Sequence, residues 1–298
     1  MSNRLKGKVV LITGAARGIG AETARALAKR DARLILTDLD AGALSALAAE
    51  LGEERAVSVA CDVCDLASMQ TAVEAGIGRF GGLDLVLANA GIASYGSVLA
   101  VDPATFKRVL DVNVLGVFHT VRAALPALIA RDGYILIVSS LAAFAPAPGL
   151  AAYNASKAGV EHFASALRLE VAHEGVEVGV AHMSWIDTPL VRDAKDDLAS
   201  FREMLRVLPP PLGKTTSVDA CVRAFVKGLA HRRRRVYVPG WVRGLGWIKP
   251  LVTSRIGDRQ TLQHTPQLLA QMDAEVQALG RSTSARNVAL EEAAVAPD

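Results

Sequence analysis

Six short apolar runs, each followed by a longer amphipathic stretch, constrain this chain more than anything else in it. The runs are Val9–Thr13, Arg33–Thr37, Ala56–Ala60, Leu83–Ala88, Tyr134–Val138 and Val176–Ala181. They are rich in Val, Ile and Leu with little alternation, the pattern of strands covered on both faces. Strand and helix signals that alternate in this way predict βαβ units around a parallel sheet. A further run, Val236–Val238, brings the expectation to about seven strands in a Rossmann-like, doubly wound α/β sheet with helices on both faces. Asp40 and Asp65 fit helix N-caps, and Asp102-Pro103 reads as a cap followed by Pro at the first helical position. Residues 1–240 are expected to form one domain. Within it, segment 184–216, punctuated by Pro189, Pro209, Pro210 and Pro211, reads as a loop with a short helix. Residues 241–298 read as a C-terminal extension, and its polar, Ala-rich end from about Arg281 is expected to be disordered.

Composition removes several function classes. A chain of 298 residues, 51% hydrophobic, can bury a large core, and a net charge of +3 is too small for nucleic-acid binding. Three cysteines provide no disulfide framework and suit a reducing cytoplasm. Cys61 and Cys64 form a lone CxxC that reads as structural, and His119, His162 and His182 are scattered, so no metal is expected. The polar N-terminus predicts no signal peptide, and no apolar run reads as long enough to span a bilayer.

Gly14, Gly18 and Gly20 form a G-x-x-x-G-x-G loop between the first strand and its helix. Glycines there let the backbone turn tightly and approach a pyrophosphate, which sits on helix N–H groups. Asp38 ends the second strand, where a carboxylate bonds ribose hydroxyls and repels a 2′-phosphate. NAD is therefore expected over NADP, although Arg17 could serve a phosphate. Tyr153 and Lys157, four apart, share a helical face. An ammonium beside a phenol favours the phenolate, so the pair reads as a proton-transfer unit. Ser139 and Ser140 end the fifth strand, and Asn89 and Gly91 follow the fourth, at the edge where parallel sheets bind ligands.

With these pieces in register, the chain resembles the short-chain dehydrogenase/reductase family, of the single-domain type with a C-terminal extension. The matching residues are Thr13-Gly14-Ala15-Ala16-Arg17-Gly18-Ile19-Gly20, Asp62-Val63, Asn89-Ala90-Gly91, Asn113, Ser140 and Tyr153-x-x-x-Lys157, over roughly residues 5 to 240. The resemblance implies that Tyr153 is the general acid/base. Lys157 would lower its pKa and hold the nicotinamide ribose. Ser140, at the family's spacing before the tyrosine, would bond the substrate oxygen. Asn113 would kink its helix and hold a water. Asp62 and Val63 would flank the adenine, and Asn89, Ala90 and Gly91 would support the adenosine side. Transfer of the pro-S hydride is implied in the same way. One departure stands out: Met183 and Ser184 occupy the place of the family's Pro-Gly, while Ile186 and Thr188 keep the positions that bond the carboxamide.

The expected pocket wall is apolar: Tyr95, Leu141, Phe144, Leu150 and Trp185, with Ile92 and Pro146 nearby. Such a wall prefers a lipophilic secondary alcohol or ketone. Two other readings share the motifs, an NADPH-dependent 3-oxoacyl thioester reductase and a dinucleotide sensor without turnover. Asp38 and the long tail weigh against the first, and the joint presence of Ser140, Tyr153 and Lys157 against the second. The tail carries Arg232 to Arg235, then Trp241, Val242, Leu245, Trp247, Ile248, Lys249 and Leu251. It reads as a flap or subunit contact rather than a membrane-surface segment, because Gly244, Gly246 and Pro250 break it. The helix around 266–279 could brace a second subunit, and by family analogy a homodimer or homotetramer is expected.

Overall fold

The computed structural model describes residues 4–295. Seven parallel strands form one sheet in the order β3-β2-β1-β4-β5-β6-β7. They are β1 (Val9–Thr13), β2 (Arg33–Asp38), β3 (Ala56–Ala60), β4 (Leu85–Ala88), β5 (Tyr134–Val138), β6 (Glu177–Met183) and β7 (Arg235–Val238). The connecting helices are α1 (Gly18–Ala28), α2 (Ala41–Leu51), α3 (Leu66–Phe80), α4 (Pro103–Leu110), α5 (Gly116–Ile129), α6 (Ala151–Glu170), α7 (Pro189–Asp197), α8 (Ala199–Val207) and α9 (Val218–Ala230). The tail adds α10 (Val242–Trp247), α11 (Lys249–Val252), α12 (Arg255–Leu279) and α13 (Ala285–Val295).

Strand side chains alternate between faces, and here both faces are apolar. Val10 and Ile12 point to one side with Leu34, Leu36, Leu136 and Val138, under α1 and α9. Val9 and Leu11 point to the other with Ile35, Val86, Ile135 and Ile137, under α3, α5 and α6. Each such Leu or Ile contributes about 1.5–3 kcal/mol by leaving water. The helix starts follow the sequence. Asp40 accepts from Ala43 N at 2.9 Å, Asp65 from Ala67 N at 3.0 Å, and Asp102 from Thr105 N at 2.7 Å ahead of Pro103.

Three expectations need correction. Segment 184–216 holds two helices, α7 and α8, instead of one, because Pro189 starts a helix at its first position rather than breaking one. The end of the chain from Arg281 is ordered as far as residue 295: Ser282, Thr283 and Ser284 are buried and α13 follows. Residues 296–298 of that segment lie outside the described residues, as does the side chain of Leu251. Thirdly, the continuous helix Pro103–Ile129 is by length and composition apolar enough to cross a membrane, with a mean hydropathy of 1.5. Val109, Val112, Val117, Val121, Ala124 and Leu128 on it are buried in the core.

In the remainder of the tail, Arg232 pairs with Glu177 at 3.2 Å, and Trp241, Val242 and Leu245 pack with Leu141 and Phe144. Trp247 stands 73% exposed.

Asp84, just before β4, is a buried carboxylate that ties three parts of the sheet edge together. It accepts from Lys8 Nζ at 2.8 Å, Val9 N at 2.9 Å and Arg131 at 3.3 Å. Burial pushes its pKa up, but these donors outweigh burial and hold it below the ordinary carboxylate value. A depressed folded-state pKa gives stability that is present above the unfolded pKa of about 4 and lost as pH falls through the folded value. Asp84→Asn is therefore expected to cost about 2 kcal/mol in urea unfolding at pH 7. The gap between variant and wild type should narrow when unfolding is repeated near pH 3.

Candidate active site

The sheet order reverses between β1 and β4, so the loops after these strands part and leave a crevice. The parting is laced by side chains. Thr13 Oγ1 accepts from Asn89 N and Ala90 N at 3.0 and 3.1 Å, and Asn89 Nδ2 donates to the carbonyls of Thr13 and Gly14 at 3.0 and 3.1 Å. Gly14 has φ +63°, and a Cβ there would meet Ala90 Cα at 2.9 Å. At Gly20 a Cβ would fall 2.1 Å from the Gly14 carbonyl oxygen, so α1 can start this close under the loop only without one. Gly14, Gly18, Ile19, Ala90 and Gly91 line the crevice, while Gly20 lies beneath it.

At one end, Asp38 finishes β2. Its carboxylate accepts from Ala16 N at 2.9 Å and Asp40 N at 3.1 Å, and burial raises its pKa against those bonds and the nearby Arg17 charge. Arg17 is itself engaged, in an ion pair with Asp40. Asp62 and Val63 line the same end, and Asp62 is held by Arg108 at 3.1 Å.

At the other end, Ser140, Tyr153 and Lys157 line the crevice together. Ser139 does not join them: it is fully buried and donates to the Lys157 carbonyl at 2.9 Å. Ser140 Oγ accepts from Ala142 N at 3.1 Å and donates to the Met183 carbonyl at 3.3 Å. Lys157 is 3% exposed, donates to the Val138 carbonyl at 3.1 Å, and lies 5.5 Å from the centre of the Tyr153 ring. Burial brings its pKa down to about 8. Burial also pushes the Tyr153 phenol up, only partly offset by the Ser140 hydroxyl. The expected lowering of Tyr153 by Lys157 thus does not appear among the protein's own groups: burial raises the phenol, and the Ser140 hydroxyl is the group that lowers it.

Asn113 sits behind this face rather than in it. A π turn, Asp111–Leu115, joins α4 to α5, and such turns gather at functional sites. There the fully buried Asn113 accepts from Ile92 N, donates to the Ile92 carbonyl and donates to Ser156 Oγ, each at 2.9 Å. It fixes the loop after β4 against α6 by way of Ser156, three residues from Tyr153 and one from Lys157.

The whole crevice encloses about 470 Å³. Tyr95, Leu141, Leu150, Trp185, Ile92 and Pro146 are on its wall, as are Ile186 and Thr188. Phe144 is not: it stacks on buried His182 at 4.5 Å between ring centres and packs against Val242. Met183 and Ser184 also line the crevice. Ser184 N continues the strand ladder to the Val238 carbonyl at 2.8 Å, while its Oγ is buried and finds no partner among the described residues. Sequence reasoning missed Arg108 and the tail residues Leu268, Leu269, Met272 and Asn287, which complete the wall. The helical spacing of Leu268, Leu269, Met272 and Val276 was the available signal. The thiols of Cys61 and Cys64 are both raised by burial, that of Cys64 to about 12, which leaves them unreactive at neutral pH.

Known proteins share this fold. A family model described as short chain dehydrogenase matches residues 8–199. The 11-beta-hydroxysteroid dehydrogenase 1A of Arabidopsis thaliana is 34% identical over 248 residues, covering 80% of this chain and 70% of the relative. The (-)-trans-carveol dehydrogenase of Rhodococcus erythropolis is 35% identical, covering 64% of this chain and 75% of the relative. Among solved structures, 3-ketoacyl-(acyl-carrier-protein) reductase from Brucella melitensis, complexed with NADH, superposes with a TM-score of 0.69 at 31% identity. The match covers 78% of this chain and 97% of that one.

The two glycine environments predict opposite outcomes in thermal melting. Gly20→Ala must displace the Gly14 loop and is expected to cost about 1–3 kcal/mol. Gly78→Ala on α3 meets nothing within 4 Å and should stabilise by about 0.5–1 kcal/mol.

Proposed function

Since the chain belongs to the short-chain dehydrogenase family, we propose that it interconverts a lipophilic secondary alcohol and its ketone with NAD(H). The observation that carries this reading is one crevice with Asp38 at its nucleotide end and Ser140, Tyr153 and Lys157 at the other, beneath an apolar wall. Residues of that wall, Tyr95, Leu150, Phe201, Met204 and Met272, belong to one buried cluster that Tyr153 and Trp185 pack against. Such a surface favours a hydrocarbon frame over a phosphorylated sugar.

The fit to a dinucleotide rests on this chain's own residues. Gly14 and Gly18 have the positive φ that brings backbone close to a pyrophosphate, and the N-terminus of α1 faces the same space. Asp38 would accept from the ribose hydroxyls, and Ile186 and Thr188 would hold the carboxamide. When bound, the dinucleotide supplies or takes the hydride. Tyr153 gives its phenolic proton to the ketone oxygen in reduction and removes the alcohol proton in oxidation. Ser140 donates a hydrogen bond to the same oxygen as charge develops there. Lys157, charged below about pH 8, lies 5.5 Å from the centre of the Tyr153 ring and would hold the ribose beside it. Asp38 supports NAD over NADP because a carboxylate beside a 2′-phosphate is repulsive, and Arg17, paired with Asp40, is not free to offset it.

The test is NADH formation from NAD over a panel of lipophilic secondary alcohols, with a 3-oxoacyl thioester and NADPH run in the reverse direction. Turnover of an alcohol with NAD supports the reading; turnover of the thioester alone, with NADPH alone, would replace it. Tyr153→Phe is expected to lower kcat by about 10²–10⁴. Because burial raises the phenol, kcat/KM for alcohol oxidation should climb with pH from 7 towards 9. Asp38→Ala should shift the cofactor preference towards NADP in the ratio of kcat/KM values.

A further inference from the structure

The family model ends at residue 199, so α13 stands outside the part of the chain that it matches. It nevertheless lies along the crevice. Arg281, ahead of it, forms a two-pronged ion pair with Asp197 at the end of α7, at 2.7 and 2.9 Å. The next residues bond to the loop after β4: Tyr95 N donates to the Ser282 carbonyl at 2.8 Å, and Thr283 Oγ1 donates to the Ala93 carbonyl at 2.9 Å. Within the helix, Arg286 pairs with Asp193 of α7 at 3.1 Å. Glu291 accepts from Arg108 at 3.1 Å, and the same guanidinium holds Asp62 at 3.1 Å.

These contacts give the segment two ends. One is fastened to α7, which begins directly after Thr188. The other reaches Asp62, at the nucleotide end, through Arg108. Between them, Ser284, Asn287 and Leu290 recur at helical spacing and line the crevice, whereas Ala285 and Ala289 face water. A molecule lying from Asp62 to Thr188 therefore has the segment from Ser284 to Glu291 along its wall.

We propose that this segment is part of the dinucleotide site: Asn287 and Leu290 form its outer wall, and the Arg281–Asp197 pair governs how fast the dinucleotide leaves. The proposal rests on the crevice binding a dinucleotide and holds whether that is NAD(H) or NADP(H). A charge-assisted, two-pronged pair between partly buried groups is a strong fastening for such a segment.

The experiment is stopped-flow release of NADH and, in parallel, NADPH from the full-length protein, followed by the cofactor's own fluorescence. Four proteins are compared: wild type, Arg281→Asp, Asp197→Arg, and the variant carrying both changes. Each single reversal is expected to speed release about 5- to 10-fold, and the double swap to restore the wild-type rate within about twofold, by analogy with other paired charges. Glu291→Gln, which keeps its volume, should speed release in the same direction by a smaller factor, and it covers the case in which a reversal fails to fold. Release rates unchanged in folded single variants, or raised in them and not restored by the swap, would overturn the proposal. Failure of the wild type to bind either dinucleotide would instead overturn the functional reading on which it stands.

Discussion

The parting of β1 and β4 is the constraint on which the rest depends. A parallel sheet wound outward from its middle leaves two neighbouring strands whose following loops go to opposite faces. The gap has to be closed against water on its inner side, and Thr13 and Asn89 do so through four hydrogen bonds between the two loops. Gly14 and Gly20 let the loop lie flat on that lacing. Every group that touches the crevice, from Asp38 at one end to Tyr153 at the other, is placed relative to this floor.

The same burial that makes the site precise also sets its electrostatics. Lys157 and Tyr153 are taken out of water together, which weakens the ammonium and holds the proton on the phenol. Asn113 contributes by position: it sits on the π turn, and its amide ties Ile92, in the loop after β4, to Ser156 on α6, the helix that carries Tyr153 and Lys157. A side chain at that point of a regular α-helix would be free to face elsewhere.

Much of this was legible in the sequence for a physical reason. Strands covered on both faces must be continuously apolar, which made the central strands plain; the half-covered edge strands β3 and β7 kept enough Val and Ala to be located as well, and only strand ends moved. β4 begins at Leu85 because Asp84 turns aside to meet Lys8 and Arg131, and β6 runs on to Met183 because Ser184 still pairs with Val238. The site residues sit at strand ends and on one helix, where local spacing is informative. The tail was misread because its order comes from distant partners. Arg281, Arg286 and Glu291 look like solvated polar residues until Asp197, Asp193 and Arg108 are brought beside them. Phe144 was misplaced for a similar reason. It is apolar and lies between Ser140 and Tyr153, yet the ring of His182 draws it to the other side of the loop.

In the reaction proposed for this crevice, hydride passes between a carbinol carbon and the dinucleotide. That transfer is tested most directly by incubating the protein with NAD and a lipophilic secondary alcohol deuterated at the carbinol carbon, then locating the deuterium by NMR. One deuterium is expected at C4 of the nicotinamide ring, on a single face, with a slower rate than for the protiated alcohol. NADH that carries no deuterium from the alcohol would contradict it.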